Sequence, residues 1–423
     1  MEIAIILTFI VGYLAISFEH AIKIDKAATA LVAGVMCWVF YILNQPDKHA
    51  VTHQLMEHLG EIAGILFFLL SAMTIVELID AHDGFQIITD RIKTQNANKL
   101  LWMVALITFF LSAILDNLTT TIVIVSLLRK LISDRDQRLF FAGITVIAAN
   151  AGGAWSPLGD VTTTMLWIGG QITPLNIITR LFIPSLVCLL IPLLFVSRNV
   201  KGTVTPPPTD PNTVLSPERD RNLVFGVGIG VLLFVPVFKT VTHLPPFMAI
   251  LFGLGIIWIV TELIHSEKDT EDKSFLTVVY ALRKIDTPSI LFFLGILISI
   301  SALEATGQLK GAAEWLSTTI GNESVIVISI GLLSAVVDNV PLVAASQGMY
   351  SLTQYPPDHF FWEFMAYTTG TGGSILIIGS AAGVAAMGME RIDFFWYLKR
   401  ISLLALLGYF SGAAVFMLTM GWH

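Results

Sequence analysis

Ser112-Ala113-Ile114-Leu115-Asp116-Asn117 and Ser334-Ala335-Val336-Val337-Asp338-Asn339 are one pattern written twice in a chain of 423 residues. Each copy breaks a long apolar run, 100–131 in the first case and 324–352 in the second. Each run is too long for one helix across a bilayer. Its two arms reach only about 18–24 Å at ~1.5 Å per residue, short of the ~30 Å hydrocarbon core. A pair of short helices that enters and returns keeps its backbone hydrogen bonds internal, so both runs read as re-entrant hairpins turning inside a membrane. Pro341 suits the first turn of a new helix and Asn339 can cap it.

A second matched pair follows the first. The run 138–169 contains Ala149-Asn150-Ala151-Gly152-Gly153-Ala154-Trp155-Ser156-Pro157-Leu158-Gly159-Asp160, and the run 359–389 contains Thr369-Gly370-Thr371-Gly372-Gly373-Ser374, reaching Gly379-Ser380. Gly and Pro at these positions do not hold a regular helix, so each run is expected to unwind near mid-membrane. Gly152, Gly153 and Gly159 recur as Gly372, Gly373 and Gly379, at nearly the offset that separates the two Asp-Asn pairs. Two matched breaks at a near-constant offset indicate an internal duplication.

Composition supplies the solvent. Apolar residues make up 55% of the chain and charged residues 13%, about half the ~25% charged share of a soluble domain. Too few polar groups remain to cover a water-facing surface, so the chain is read as an integral membrane protein. A net charge of −7 without a basic run excludes nucleic-acid binding. Cys37 and Cys188 lie in apolar stretches and read as packing residues. No Lys or Arg precedes Lys23, so the first apolar run is expected to stay as a helix.

Working outward from the breaks, the other spans fall near 3–18, 27–43, 60–80, 175–197, 222–240, 246–265, 288–304 and 394–420. The expected fold class is an all-α polytopic membrane protein of two inverted-topology repeats. Each repeat has five crossings, one re-entrant helical hairpin and one discontinuous helix. The first repeat covers 1–197 and the second 222–423. A cytoplasmic linker, 198–221, carries Pro206-Pro207-Pro208. With this topology all 24 Lys and Arg fall on one side except Lys48, Arg180, Lys239 and Lys310. The positive-inside rule makes that side cytoplasmic and leaves both termini external.

The same placement leaves Asp116, Asp160 and Asp338 at the breaks with no basic residue at their level. Intramembrane carboxylates are costly, by about 2.5–3.5 kcal/mol on insertion scales, and point to function. Unpaired, they must be protonated, bind a cation or alternate between the two. Helix capping is the plainer role, and it is compatible with either. The neighbours are hard oxygen donors: Asn117, Thr119 and Thr120 at one tip, Ser334 and Asn339 at the other. Ser156, Thr162 and Thr163 line one unwound stretch; Thr369, Thr371, Ser374 and Ser380 line the other. Oxygen ligands with unwound carbonyls suit a small hard cation, and no His or Cys clusters there to favour a soft metal. Each tip Asp is expected to end the first arm, at the negative pole of that helix.

Glu77, Asp80 and Glu304 read as interfacial carboxylates, and His20, His49, His53, His58, His82, His243, His265 and His359 as mostly solvated loop residues. The Gly226, Gly228, Gly230 run reads as helix packing. There is no Walker motif and no triad pattern, so neither ATP coupling nor enzymatic catalysis is expected.

The stretches SAILDNLTTT, ANAGGAWSPLGDVTTTMLW, SAVVDNVPLVAA and TGTGGSILIIGSAAGVAAMG resemble the NhaD-type sodium/proton antiporters. That family lies in the ion-transporter superfamily that also holds arsenite pumps and sodium–dicarboxylate carriers. The resemblance implies a multi-pass protein of the bacterial cytoplasmic membrane, commonly a homodimer. It implies no cofactor, with Na⁺ or Li⁺ and H⁺ as the transported ions. It also implies a transport domain sliding past a scaffold of the first, second, seventh and eighth elements. By the same resemblance the ions are handled by Asp116, Asn117, Asp160, Thr162, Thr163, Ser334, Asp338, Asn339 and Ser374, with Thr119 and Ser156 beside them. Na⁺ is expected at Asp116, Asp160 and Asp338. The dicarboxylate carriers have uncharged tips, whereas both tips here carry Asp, which disfavours an anionic substrate. Sodium-coupled uptake of small organic anions, metalloid efflux and a non-transporting receptor remain the alternatives.

Overall fold

The computed structural model describes residues 2–17, 22–89, 92, 94–198, 200–205, 217–266 and 275–421. Most of the proline-bearing part of the linker lies outside the described residues, as do His20, Arg91, Lys93, Lys268 and Lys273. Apart from an isolated bridge between Asn96 and Thr203, the described residues form helices and connections.

The first half begins with α1 (Glu2–Ser17), α2 (Lys26–Asn44) and α3 (Lys48–Ala81). A hairpin of α4 (Ala97–Ser112) and α5 (Asn117–Leu131) follows, then a broken helix of α6 (Arg135–Gly153) and α7 (Val161–Ile168), then α8 (Pro174–Ser197). The second half repeats the order: α9 (Glu218–Thr242), α10 (Pro246–Ile264) and α11 (Thr287–Ala305) lead to a hairpin of α12 (Glu323–Leu333) and α13 (Asn339–Met349). The second broken helix is α14 (Phe360–Gly372) and α15 (Ala381–Glu390), and α16 (Phe394–Met420) closes the chain. Among the described residues seven helices are long and apolar enough to cross a membrane. Adding α1 and the two broken helices gives ten crossings, five per half, so the halves enter from opposite sides. α3 is much longer than the span 60–80 read from hydropathy. Asp47 caps it through the His49 and Ala50 N–H groups, and Tyr41 donates to Gln54 Oε1 (2.9 Å), so the helix continues beyond its apolar stretch.

Packing divides these helices into two groups. One contains α1, α2, α3, α9, α10 and α11, adding α3 and α11 to the four scaffold elements named above; the other contains both hairpins, both broken helices, α8 and α16. The groups meet mainly where α13 lies on α11 and α7 touches α3. Lys239 of α9 adds a link, donating to the Trp167 carbonyl (2.9 Å) at the end of α7. Within the second group the repeats cross over: α5 packs on α15, and α13 packs on α7. The buried Glu390 carboxylate at the end of α15 accepts from Arg129 (2.7 Å) and Arg138 (2.8 Å), tying the first hairpin to the second broken helix.

The matched glycines mark where hairpin backbone meets broken-helix backbone. A β-carbon on Gly152 would collide with the Phe109 carbonyl, and one on Gly372 with the Gly331 carbonyl. Ser112 Oγ donates to the Ala149 carbonyl (2.6 Å), and Ser334 Oγ repeats the bond on Thr369 (2.9 Å). The Gly226–Gly230 run behaves otherwise. Only Gly228 packs closely, against Ile79, while β-carbons at Gly226 and Gly230 would meet open space. Two histidines expected in solvated loops are buried: His82 and His265 cap the ends of α3 and α10 with Nε2 atoms 2.9 Å apart. A neutral ring offers one N–H and one lone pair, so the two rings join those helices by a single shared hydrogen bond.

Gly152→Ala and Gly372→Ala should each destabilise the protein by about 1–3 kcal/mol, the usual cost of overpacking. Gly226→Ala and Gly230→Ala should leave stability unchanged or raise it by roughly 0.5–1 kcal/mol through helix propensity. Thermal unfolding in detergent distinguishes the two pairs.

Candidate functional site

All three embedded aspartates are N-caps. Asp116 starts α5 and accepts from the Thr119 N–H (2.8 Å); Asp160 starts α7 and accepts from Thr162 (2.9 Å); Asp338 starts α13 and accepts from Val340 (3.3 Å). The tip carboxylates therefore face the positive pole of each second arm, not the negative pole of the first as the sequence suggested. Asn339 is the first helical residue of α13, and its cap is Asp338. The reason is local: an Asp side chain bonds the second or third N–H after it and leaves Asn117 or Asn339 pointing elsewhere.

They point at Asp160. Asn117 Nδ2 donates to Asp160 Oδ2 (2.7 Å) and to Asn150 Oδ1 (2.9 Å). Asn339 Nδ2 lies 3.3 Å from both Asp160 oxygens. Thr162 adds its hydroxyl to Oδ1 (2.9 Å), and Asn150 Nδ2 donates to Ser380 Oγ (2.9 Å) on the second broken helix. Asp160 is 1% exposed. Both hairpin tips and both broken helices thus contribute to one polar cluster around a single carboxylate. Among the described residues no basic side chain forms an ion pair with Asp160. Its charge is met by amide, hydroxyl and helix-terminal dipoles, all of which can yield to a proton or a small cation. A half-turn of either tip amide replaces its N–H donors with Oδ1, a hard ligand.

Asp116 and Asp338 flank this centre differently. Asp116 accepts the Thr119 hydroxyl (2.7 Å) and borders a cavity of about 50 Å³ lined by Met73, Ile114, Asn117, Thr164 and Phe293. That is room for a few water molecules. Its backbone has φ 95° and ψ 157°, a region that is essentially glycine's. Asp338 is ordinary in backbone but not alone: Lys26 Nζ stands 3.7 Å from its Oδ2. This corrects the expectation that no basic residue reaches the level of the aspartates. Lys26 opens α2, and its long side chain carries the charge to the second hairpin tip.

The remaining residues named from the sequence hold the frame. Ser156 Oγ donates to the Ala113 carbonyl (2.5 Å) and accepts from Gly159 N (3.0 Å), fixing the first hairpin tip on the unwound stretch. Thr163 bonds the Asp160 carbonyl, Ser374 bonds the Thr371 carbonyl, and Thr369 and Thr371 bond back within α14. Thr120 is buried beside the tip. Of the three aspartates, Asp160 is the one that meets an amide from each hairpin tip. Asn150 was missed as a site residue; its signal was an amide two residues before Gly152-Gly153, where the second repeat has Gly370.

Two hairpins thus meet around one buried, dipole-held carboxylate in a multi-span helical membrane protein. A solved structure with this fold is the YdaH transporter of Alcanivorax borkumensis, with a TM-score of 0.58, 12% identity and coverage of 89% of this chain and 90% of that one. The citrate transporter family model, CitMHS, matches residues 13–372. Sodium/proton antiporter 1 of Arabidopsis thaliana is 49% identical over 425 residues, spanning 100% of this chain and 73% of the relative. The Na(+)/H(+) antiporter NhaD of Vibrio cholerae is 30% identical over 441 residues, spanning 96% and 89%. The chain belongs to the NhaD-type sodium/proton antiporter family, within the broader citrate transporter family.

The strain at Asp116 is testable without transport. Asp116→Gly and Asp116→Ala both delete the carboxylate, but only Gly relaxes at this φ. The Gly variant should be the more stable by about 1–3 kcal/mol, read as the difference in unfolding midpoint between the two.

Proposed function

We propose that the protein exchanges cytoplasmic Na⁺, or Li⁺, for external H⁺, with both ions competing for Asp160 and its flanking aspartates. The observation that carries this reading is the buried Asp160 carboxylate, gripped by one asparagine from each hairpin tip and unpaired with any basic residue among the described ones. A group so held has two neutral states, protonated and cation-bound, and exchanging one for the other is antiport. The names of the 49% and 30% identical relatives support the same ions. Movement of the hairpin-bearing group against the α1–α3 and α9–α11 group would carry the site from one face to the other. The side rich in Lys and Arg is taken as cytoplasmic.

The citrate description of the wider family favours a second reading, sodium-coupled uptake of an organic anion. Against it stand three aspartates around the site, which would repel a carboxylate substrate.

Purified protein in liposomes with an acidic interior separates the readings. Added Na⁺ or Li⁺ should dissipate the pH gradient, and a Na⁺ gradient should drive no citrate uptake; the reverse pattern would sink the antiporter reading. Asp160→Asn should abolish exchange while the protein still folds. Competition also fixes a pH dependence. Where the carboxylate is mostly protonated, Na⁺ must displace H⁺, so the apparent KM should fall about tenfold for each pH unit of increase. Above the carboxylate's titration it should level off. A KM that never rises as the pH is lowered from 9.5 to 5 would count against a shared site.

A further inference from the structure

Lys26 stands where a lysine is poorly placed for its own helix. It is the first residue of α2, at the positive pole, where a cation is disfavoured. That terminus is already capped, since Asp25 accepts from the Ala27 N–H (2.7 Å). The ammonium lies 4.6 Å from the centre of the buried Phe292 ring on α11 and 3.7 Å from Asp338 Oδ2 at the second hairpin tip. The two side chains are 22% and 15% exposed, so solvent screens the pair only in part.

Three features give the contact meaning. Lys26 and Phe292 belong to one packing group and Asp338 to the other, so the ion pair bridges the boundary between them. Asp338 is also adjacent in sequence to Asn339, whose amide touches Asp160. And among the described residues the first repeat has no equivalent. Asp116 turns onto its own Thr119, while α10, the counterpart of α2, opens with the uncharged Pro246-Phe247-Met248.

Resting on the exchange reading above, we propose that Lys26 is a tethered counter-cation that competes with the transported cation for Asp338. In the conformation described, its ammonium neutralises Asp338 and holds the second hairpin tip against α2 and α11. A sodium ion at Asp338 and an ammonium this close to the same carboxylate repel one another, so one leaves when the other arrives. Lys26 is a positioning residue: it acts on the transported ion through Asp338.

The test uses full-length purified protein with Lys26→Met and Lys26→Arg. Na⁺ binding is read first as the rise in unfolding midpoint with NaCl over choline chloride, and then as the KM of exchange. Lys26→Met should lower the half-saturating Na⁺ concentration about five- to tenfold in both assays, the scale of a partly sheltered ion pair. Lys26→Arg, which keeps the charge, should stay within about twofold of the unaltered protein by the same reasoning. In a double-mutant cycle with Asp338→Asn, coupling between positions 26 and 338 should appear in choline and vanish at saturating Na⁺. An unchanged or higher half-saturating concentration in Lys26→Met, or coupling that survives saturating Na⁺, overturns the proposal. Lys26→Gln supplies the neutral variant should the Met form fail to fold. Na⁺-dependent stabilisation of the unaltered protein without exchange refutes the exchange reading alone, because the binding comparison still decides the role of Lys26.

Discussion

A carboxylate sealed from water has to be answered by something, and at Asp160 the answer comes from dipoles. The α7 N-terminus, the Thr162 hydroxyl and the Asn117 and Asn339 amides surround it. The choice matters because a fixed lysine would satisfy the charge permanently, whereas dipoles reorient. Much of the architecture follows from bringing four such groups to one point in a medium that tolerates no loose backbone. Short half-helices deliver their N-termini to this cluster, and each hairpin delivers one amide.

Holding the half-helices in place is the next problem, and the two repeats solve it alike. Glycine lets each first hairpin arm ride directly on its broken helix, so backbone meets backbone at Gly152 and Gly372. Serine then pins the contact, from Ser112 to the Ala149 carbonyl and from Ser334 to Thr369. The crossed packing of α5 on α15 and α13 on α7, with Glu390 between Arg129 and Arg138, joins the repeats into one body. Residues grouped by the sequence as cation ligands thus divide into two kinds. Asn117, Asp160, Thr162 and Asn339 meet at the centre. Ser156, Ser334 and Ser374 spend their hydroxyls on carbonyls of the frame.

That division explains what could be read from the chain and what could not. The hairpins and broken helices were visible because they violate hydropathy's own rule: each apolar run is interrupted by Asp-Asn or Gly-Gly at a depth where polar breaks are expensive. The length of α3 was not visible, because hydropathy reports where lipid is and not where a helix stops. Which pole each tip aspartate faces turned on a one-residue difference in where the second arm begins. The Lys26 contact joins residues far apart in the chain through a flexible side chain, and a count of boundary charges places its backbone without saying where the ammonium goes. His82 and His265 escaped for a similar reason, since each ends a helix as a loop residue would and only packing brings the rings together.

The departures from symmetry carry the chemistry. A perfectly duplicated site would place a carboxylate at both 160 and 380, and an amide at both 150 and 370; the chain has Asp160 with Ser380, and Asn150 with Gly370. One half supplies the charge and the other supplies space and a neutral acceptor, so the centre holds a single negative charge and not two that must repel. The tips differ in the same sense. Asp116 is strained and turned inward on its own helix, while Asp338 faces a lysine across the packing boundary. Duplication built the frame, and unequal residues within it leave one carboxylate, Asp160, between the two tip amides.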